Sequence, residues 1–205
     1  MREAIHYKQD LIALKRQDLI DQLERRLSAK RFSHVLAVEA TGIELAQLYK
    51  VDLEEVSIVC LLHDYAKEMD PAEMLRLAEC YYPADDLSTA NEGIWHGPAA
   101  AEIARTQMQV HSSHLLDAIA FHTTGWYQMS DVAKILYLAD YIEPSRDFKG
   151  IDKMRKLAYQ DLDRACYRKQ RTSIKHLMKK QMYIYPLQIL IYNHWTERIN
   201  LGQSL

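Results

Sequence analysis

Val56-Ser57-Ile58-Val59-Cys60-Leu61-Leu62-His63-Asp64-Tyr65-Ala66-Lys67 carries the decisive signal in this 205-residue chain. Its first part is apolar at helical density, and the core packing it begins is expected to continue where His63 and Asp64 stand instead. An unpaired carboxylate in such a core costs several kcal/mol or is driven neutral. An adjacent His-Asp pair therefore asks for a partner, and a divalent metal ion is the simplest one.

Upstream, Asp52 followed three residues later by Glu55 has the pattern of a capping box, with Asp in place of Ser or Thr, and starts the helix that carries His63 and Asp64. Only 6 Gly and 5 Pro punctuate the chain, and apolar residues mostly recur at three-to-four spacing, as at Val132, Ile135, Leu136 and Ala139. The expected fold class is all-α, a compact multi-helix domain. Besides the helix begun at Asp52, the spacing predicts helices over about 10–28, 32–49, 71–80, 98–109, 113–122, 131–142, 152–158, 160–180 and 186–199. Breaks are expected at Pro71, Pro83, Gly97-Pro98, Gly125, Pro144, Gly150 and Pro186. No repeat, low-complexity tract or linker divides the chain. One domain is expected, with the end from about residue 146 folding back onto the rest and the first nine or so residues fraying.

A hydrophobic content of 48% supports a substantial core without staples. Cys60, Cys80 and Cys166 are odd in number and have no CxxC spacing, so they read as reduced thiols of a cytoplasmic protein. The stretch from Met1 to Asp10 has no signal-peptide apolar core, and nothing approaches the ~18 apolar residues of a membrane span. No membrane partner is expected. The formal net charge of −2 predicts no nucleic-acid partner, but its distribution is uneven. Residues 1–145 hold 13 Lys/Arg against 23 Asp/Glu, whereas residues 146–180 hold 12 against 4. That basic run reads first as a solvated helix face, although its field can draw a phosphate-rich ligand. Arg146 stands apart because it is close to other site candidates.

His34 lies near the start of the helix through Val35, Val38, Ile43 and Leu45, 29 positions before His63. Asp140 lies four residues after Leu136 and places a second carboxylate on an apolar stripe. Two buried carboxylates and two imidazoles make a mixed nitrogen and oxygen set suited to iron, manganese, cobalt or zinc, with positions left for water and substrate. Without thiolates, a structural zinc is disfavoured. Singly, each residue has a plainer reading, a core histidine bonded to a carbonyl or an Asp paired with Arg; the four together favour the metal.

The order His34, His63-Asp64, Asp140 resembles that of the HD-domain metal-dependent phosphohydrolases, a helical superfamily. The runs Arg31-Phe32-Ser33-His34, His63-Asp64-Tyr65-Ala66-Lys67, Trp95-His96-Gly97-Pro98, His122-Thr123-Thr124-Gly125 and Ala139-Asp140-Tyr141-Ile142-Glu143-Pro144-Ser145-Arg146 narrow the resemblance. They are similar to those of the YqeK-type symmetrical bis(5′-nucleosyl)-tetraphosphatases of bacteria. The match covers about residues 20–195, leaving 1–19 as an N-terminal extension and helix start and 196–205 as a C-terminal tail.

The resemblance implies a hydrolase that cuts diadenosine tetraphosphate in the middle of its phosphate chain to give two ADP. One iron ion would be held by His34, His63, Asp64 and Asp140. A metal of this kind acidifies water into a nucleophile and neutralises charge on phosphoryl oxygens. Lys67, one turn after His63, would bind phosphate as a mobile cation. His96 and His122 admit two readings: ligands of a second metal, or phosphate contacts in which a protonated imidazole serves as general acid. Phosphate contact is favoured. Thr123 would then supply a hydroxyl and a backbone N–H, and Arg146 a planar fork.

The segment Tyr183-Ile184-Tyr185-Pro186-Leu187-Gln188 is implied to approach the nucleotide base, with core packing as its plainer reading. His34 and Asp140 would touch substrate as well as metal. The partner is thus a dinucleoside polyphosphate or its nucleoside diphosphate product, with oligomeric state left open. Two rival readings are another nucleotide specificity on the same site, separable by a substrate panel, and a nucleotide-sensing regulator without turnover, disfavoured by the full ligand set.

Overall fold

The computed structural model describes residues 5–8 and 10–205 and contains, in order, α1 (Arg16–Arg26), α2 (Ala29–Tyr49), α3 (Leu53–Leu62), α4 (Pro71–Tyr81), α5 (Glu92–Gln107), α6 (Ser113–Ala120), α7 (Asp131–Ile142), α8 (Ile151–Ala158), α9 (Leu162–Lys179) and α10 (Pro186–Asn200). A 3₁₀ turn, Leu87–Thr89, precedes α5, and no strand occurs among the described residues. The fold is all-α, as the helical spacing requires. No helix is long and apolar enough to cross a membrane among those residues.

The apolar run from Val56 to Leu62 lies in the central helix, α3. From Val56 to Leu62 every residue of α3 is without exposed surface, as a helix apolar on all sides must be. Asp52 caps it, accepting from the backbone N–H of Glu54 at 2.8 Å and of Glu55 at 3.1 Å. Only half of the capping box forms, because the Glu55 carboxylate binds His114 Nε2 at 3.0 Å. Around α3 pack α2, α6, α7 and, more lightly, α5 and α1, while α4 lies on α5. The C-terminal elements are joined through α9, which touches α7, α8 and α10. One hydrophobic cluster runs from Ile12 to Leu205.

Three departures from the spacing have physical causes. The expected helix over 98–109 starts at Glu92 and runs through Pro98, with Asn91 capping through the Gly93 N–H. A mid-helix proline lacks one donor and crowds the preceding turn. Here burial of Ala99, Ala100, Ala101, Ile103 and Ala104 between α4 and α6 offsets that cost. Residues 196–205 do not form a free tail, since α10 extends to Asn200 and buried Leu205 donates its N–H to Asp163 at 3.2 Å. The basic run is mostly a solvated face of α9, with Arg164, Arg168, Arg171 and Lys175 exposed.

The third departure is at the N-terminus, where the helix expected over about 10–28 begins at Arg16. The fraying expected before it falls partly on residues 1–4 and 9, outside the described residues. The described part is held by tertiary bonds: Tyr7 OH lies 2.8 Å from Ser57 Oγ, Lys8 N–H donates to Glu54 at 2.8 Å, and Ala13 N–H to Met108 O at 3.0 Å. Arg16 grips the buried Glu39 with both arms, at 2.8 and 2.5 Å, and the Ser57 hydroxyl donates to the same carboxylate. Breaking a buried pair strands a charge at a cost of 3–5 kcal/mol. Because Arg16 is partly exposed, Arg16→Ala is expected to cost about 3 kcal/mol, the lower end of that range. Urea unfolding would show it, and an unchanged midpoint would contradict it.

Candidate metal centre and phosphate site

Five elements deliver the candidate residues. His34 comes from α2, His63 from the end of α3, His96 from α5, His122 and Thr123 from just beyond α6, and Asp140 from α7. Asp64 and Lys67 lie beyond α3, which ends at Leu62 with His63 as its cap. This corrects the expectation that the helix itself carries both His63 and Asp64. The His63 ring explains the stop: its Nδ1 is 2.7 Å from Cys60 O, the carbonyl that the Asp64 N–H would need to continue the helix. The chain goes on in successive turns, Tyr65 N–H to Leu62 O at 3.0 Å and Lys67 N–H to Asp64 O at 2.9 Å. The same device recurs after α6, where His122 Nδ1 meets Ile119 O at 2.7 Å.

All four histidines are oriented alike. His34 Nδ1 meets Glu143 at 3.1 Å, His63 Nδ1 Cys60 O, His96 Nδ1 Glu92 O at 2.8 Å, and His122 Nδ1 Ile119 O. An acceptor on Nδ1 fixes the proton there and turns Nε2 inward with its lone pair, the arrangement of a metal-ligating imidazole. His63 Nε2 is buried and has no hydrogen-bond partner. That orphan acceptor sits at the junction of two groups whose ligand atoms lie within 4.8 Å of one another: His34, His63 and Asp140, and His63, Asp64 and His122. Asp140 Oδ1 is 3.2 Å from His34 Nε2, and Asp64 Oδ2 is 3.4 Å from His63 Nε2 and 3.7 Å from His34 Nε2. Nitrogen and carboxylate donors without a thiolate fit a divalent first-row cation. The residues present therefore fit the metal that the sequence called for.

Charge is arranged to match. Burial alone would raise the Asp64 carboxyl, yet the neighbouring His63 and His96 hold it well below the usual carboxylate range. Asp140 is likewise held well below its usual range against burial, by His34 and the charge of Lys169. Burial pushes the His122 imidazole well down, and His96 and His63 push it further. Burial and Lys67 also lower His96. His96 and His122 present Nε2 atoms 3.0 Å apart, so two bare lone pairs would repel. A proton or an electropositive group between them relieves this.

A protein-family comparison matches residues 31–145 to the model described as HD domain. The chain belongs to the HD-domain family. Within it, the chain is 34% identical over 180 residues to a Bacillus subtilis (strain 168) protein named Bis(5'-nucleosyl)-tetraphosphatase, symmetrical, covering 88% of this chain and 97% of that one. A Halalkalibacterium halodurans protein of the same name is 35% identical, covering 88% and 96%. A crystal structure from Clostridium acetobutylicum, titled a predicted HD superfamily hydrolase involved in NAD metabolism, superposes with a TM-score of 0.82 at 35% identity, covering 89% of this chain and 97% of that one.

The HD-domain cluster gathers some of the remaining candidates closely. Lys67 Nζ lies 3.2 and 3.3 Å from the two ring nitrogens of His96. Thr123 Oγ1 is 3.3 Å from His122 Nε2, and Arg146 donates to Asp140 Oδ1 at 2.8 Å. The Tyr183 to Gln188 segment is tied to the loop before α5, with Tyr183 OH 2.9 Å from Thr89 Oγ1 and Tyr185 OH donating to Asp86 at 2.8 Å. Within it Tyr183 is exposed and Ile184 half-buried at the surface, whereas Tyr185, Leu187 and Gln188 are buried.

Three contributors were not assigned roles from sequence. Arg31 donates to Asp64 Oδ2 at 2.8 Å, and fully buried Glu143 orients His34. Both lie inside quoted motif runs. Lys169 has no local signal, being one cation among many in the basic run. Its ammonium is buried 3.4 Å over the Tyr137 ring, and burial lowers it to about 8 although Asp140 pulls the other way.

Proposed function

We propose that the chain is a metal-dependent hydrolase that cleaves diadenosine tetraphosphate, and related dinucleoside polyphosphates, at the middle of the phosphate chain to give two ADP. The observation that carries the reading is the buried His63 Nε2, without a hydrogen-bond partner and grouped with His34 and Asp140 on one side and Asp64 and His122 on the other, with Lys67 nearby against His96. The names of the relatives supply the substrate and the symmetric cut. His34, His63, Asp64 and Asp140 would hold the ion, iron in our reading, with manganese, cobalt or zinc as substitutes. Such an ion supplies Lewis acidity, acidifying water and neutralising charge on phosphoryl oxygens.

The chain's own residues bind and orient the rest. Lys67, Thr123 and Arg146 give cations and donors for phosphate oxygens. Attack by water on one of the two central phosphorus atoms breaks the bridging P–O bond, and the departing ADP oxygen takes a proton. His96 Nε2, 3.2 Å from Asp64 Oδ1 and 3.0 Å from His122 Nε2, would carry that proton once phosphate charge beside it offsets the burial and the Lys67 charge that lower the imidazole. The Lys67 ammonium 3.2 Å from His96 favours an anion there over a second metal ion. The Tyr183 to Gln188 segment would offer Tyr183, Ile184, Pro186 and backbone groups to the base. Three free cysteines accord with a cytoplasmic enzyme.

Iron-loaded protein given diadenosine tetraphosphate should yield ADP alone. A mixture of ATP and AMP would refute the symmetric cut, and no turnover with any of the four metals would refute the hydrolase.

A further inference from the structure

The two oxygens of Asp64 face opposite sides of the site. Oδ1 meets His96, on the side of Lys67 and His122, whereas Oδ2 meets Arg31 at 2.8 Å. Beyond Arg31 a cleft of about 230 Å³ opens, lined by Ser28, Lys30, Arg31, His34, Ser145 and Arg146, smaller than the roughly 300–1,000 Å³ that holds a whole small ligand. His34 lies one turn after Lys30 and three residues after Arg31, so the three line one face of α2 and lead from solvent to the metal cluster. Lys30 is exposed and makes no ion pair among the described residues. Glu68 and Glu143 also border the cleft, but both are spoken for: Glu68 accepts from the Ser28 N–H and hydroxyl at 2.6 and 2.7 Å, and Glu143 from Ser145 and His34. Arg31 pairs with Asp64 and Arg146 with Asp140 and Glu143, so Lys30 is the lining cation without an ion pair among the described residues.

We propose that this cleft binds the phosphates of the second nucleoside diphosphate half of the substrate, with Lys30 and Arg31 as its contacts. The inference rests on the proposed function, because a central cut leaves two equal, equally charged halves on opposite sides of the bridging P–O bond that breaks. The Lys67, His96 and Thr123 side, with the Tyr183 to Gln188 segment tied to the loop before α5, would take one of them. Arg31, only partly exposed and paired with Asp64, would turn its remaining donors to the phosphate.

The test compares two ligands on purified, iron-loaded protein: ADP, and a diadenosine tetraphosphate analogue with a methylene group in place of the central bridging oxygen. Lys30→Glu is expected to weaken the analogue by about tenfold or more, the scale of one charge-assisted phosphate contact, and ADP by less than about twofold. Lys30→Gln should weaken the analogue by a smaller factor, separating lost attraction from added repulsion. Since Lys30 is exposed, unchanged melting serves as the folding control. Equal weakening of both ligands, or of neither, overturns the second subsite while leaving the hydrolase reading intact. Wild-type protein that binds the analogue no better than ADP also overturns it, and failure to release ADP from diadenosine tetraphosphate overturns the parent reading.

Discussion

Asp64→Asn is expected to lower turnover of diadenosine tetraphosphate by about 10³-fold or more, equivalent to roughly 4 kcal/mol of transition-state stabilisation. The substitution keeps volume and removes one charge. In the folded chain that charge balances Arg31 at 2.8 Å and lies beside His63 and His96, the groups that hold the carboxylate ionised against its burial. Stability of the metal-free protein should fall, because a carboxylate held ionised below its usual range contributes to the fold and its loss leaves Arg31 without its partner. Bound metal per chain, read by elemental analysis, should fall with the rate. Wild-type turnover in a folded Asp64→Asn protein would show that the carboxylate plays no part in the chemistry.

Gly97→Ala is expected to damage both fold and function through one methyl group. A Cβ at this position would lie 2.4 Å from Ala120 O and 3.2 Å from Ile119 O, backbone atoms that cannot rotate away. Separating α5 from α6 is the only relief, at a cost of about 2–3 kcal/mol by the usual scale of overpacking. The same movement disturbs catalysis. His96 precedes the glycine, and Ile119 O is the acceptor that orients His122, so the 3.0 Å approach of the two Nε2 atoms is lost. A misplacement near 1 Å costs about 10²-fold in rate. A lowered denaturant midpoint together with that loss of kcat/KM is the expected result, and wild-type values for both would contradict the close approach.

Much of this was legible in the sequence because the signals are local. The His63-Asp64 pair breaks an apolar run, Ser130 to Ile142 has clean helical spacing, and Asp52 caps where its pattern says it should. The end of α3 was not legible, since a helix pattern does not reveal that a histidine side chain will take the carbonyl its own backbone needs. Pro98 misled for a related reason. Local chemistry says that proline breaks a helix, whereas packing of the alanine-rich stretch after it between α4 and α6 keeps α5 continuous. Lys169 illustrates the remaining limit: within a run of twelve basic residues, only the tertiary fold distinguishes the one buried over Tyr137 from those facing solvent.

The central claim is that His34, His63, Asp64 and Asp140 hold a metal ion at which a nucleotide's phosphate chain is cut. Crystals of the iron-loaded protein soaked with ADP, with anomalous scattering recorded at the iron edge, test it most directly. The account predicts one strong peak at ligand distance from the Nε2 atoms of His34 and His63 and from both carboxylates, with ADP phosphate beside Lys67 and His96. A peak elsewhere, or phosphate bound away from these residues, would contradict it.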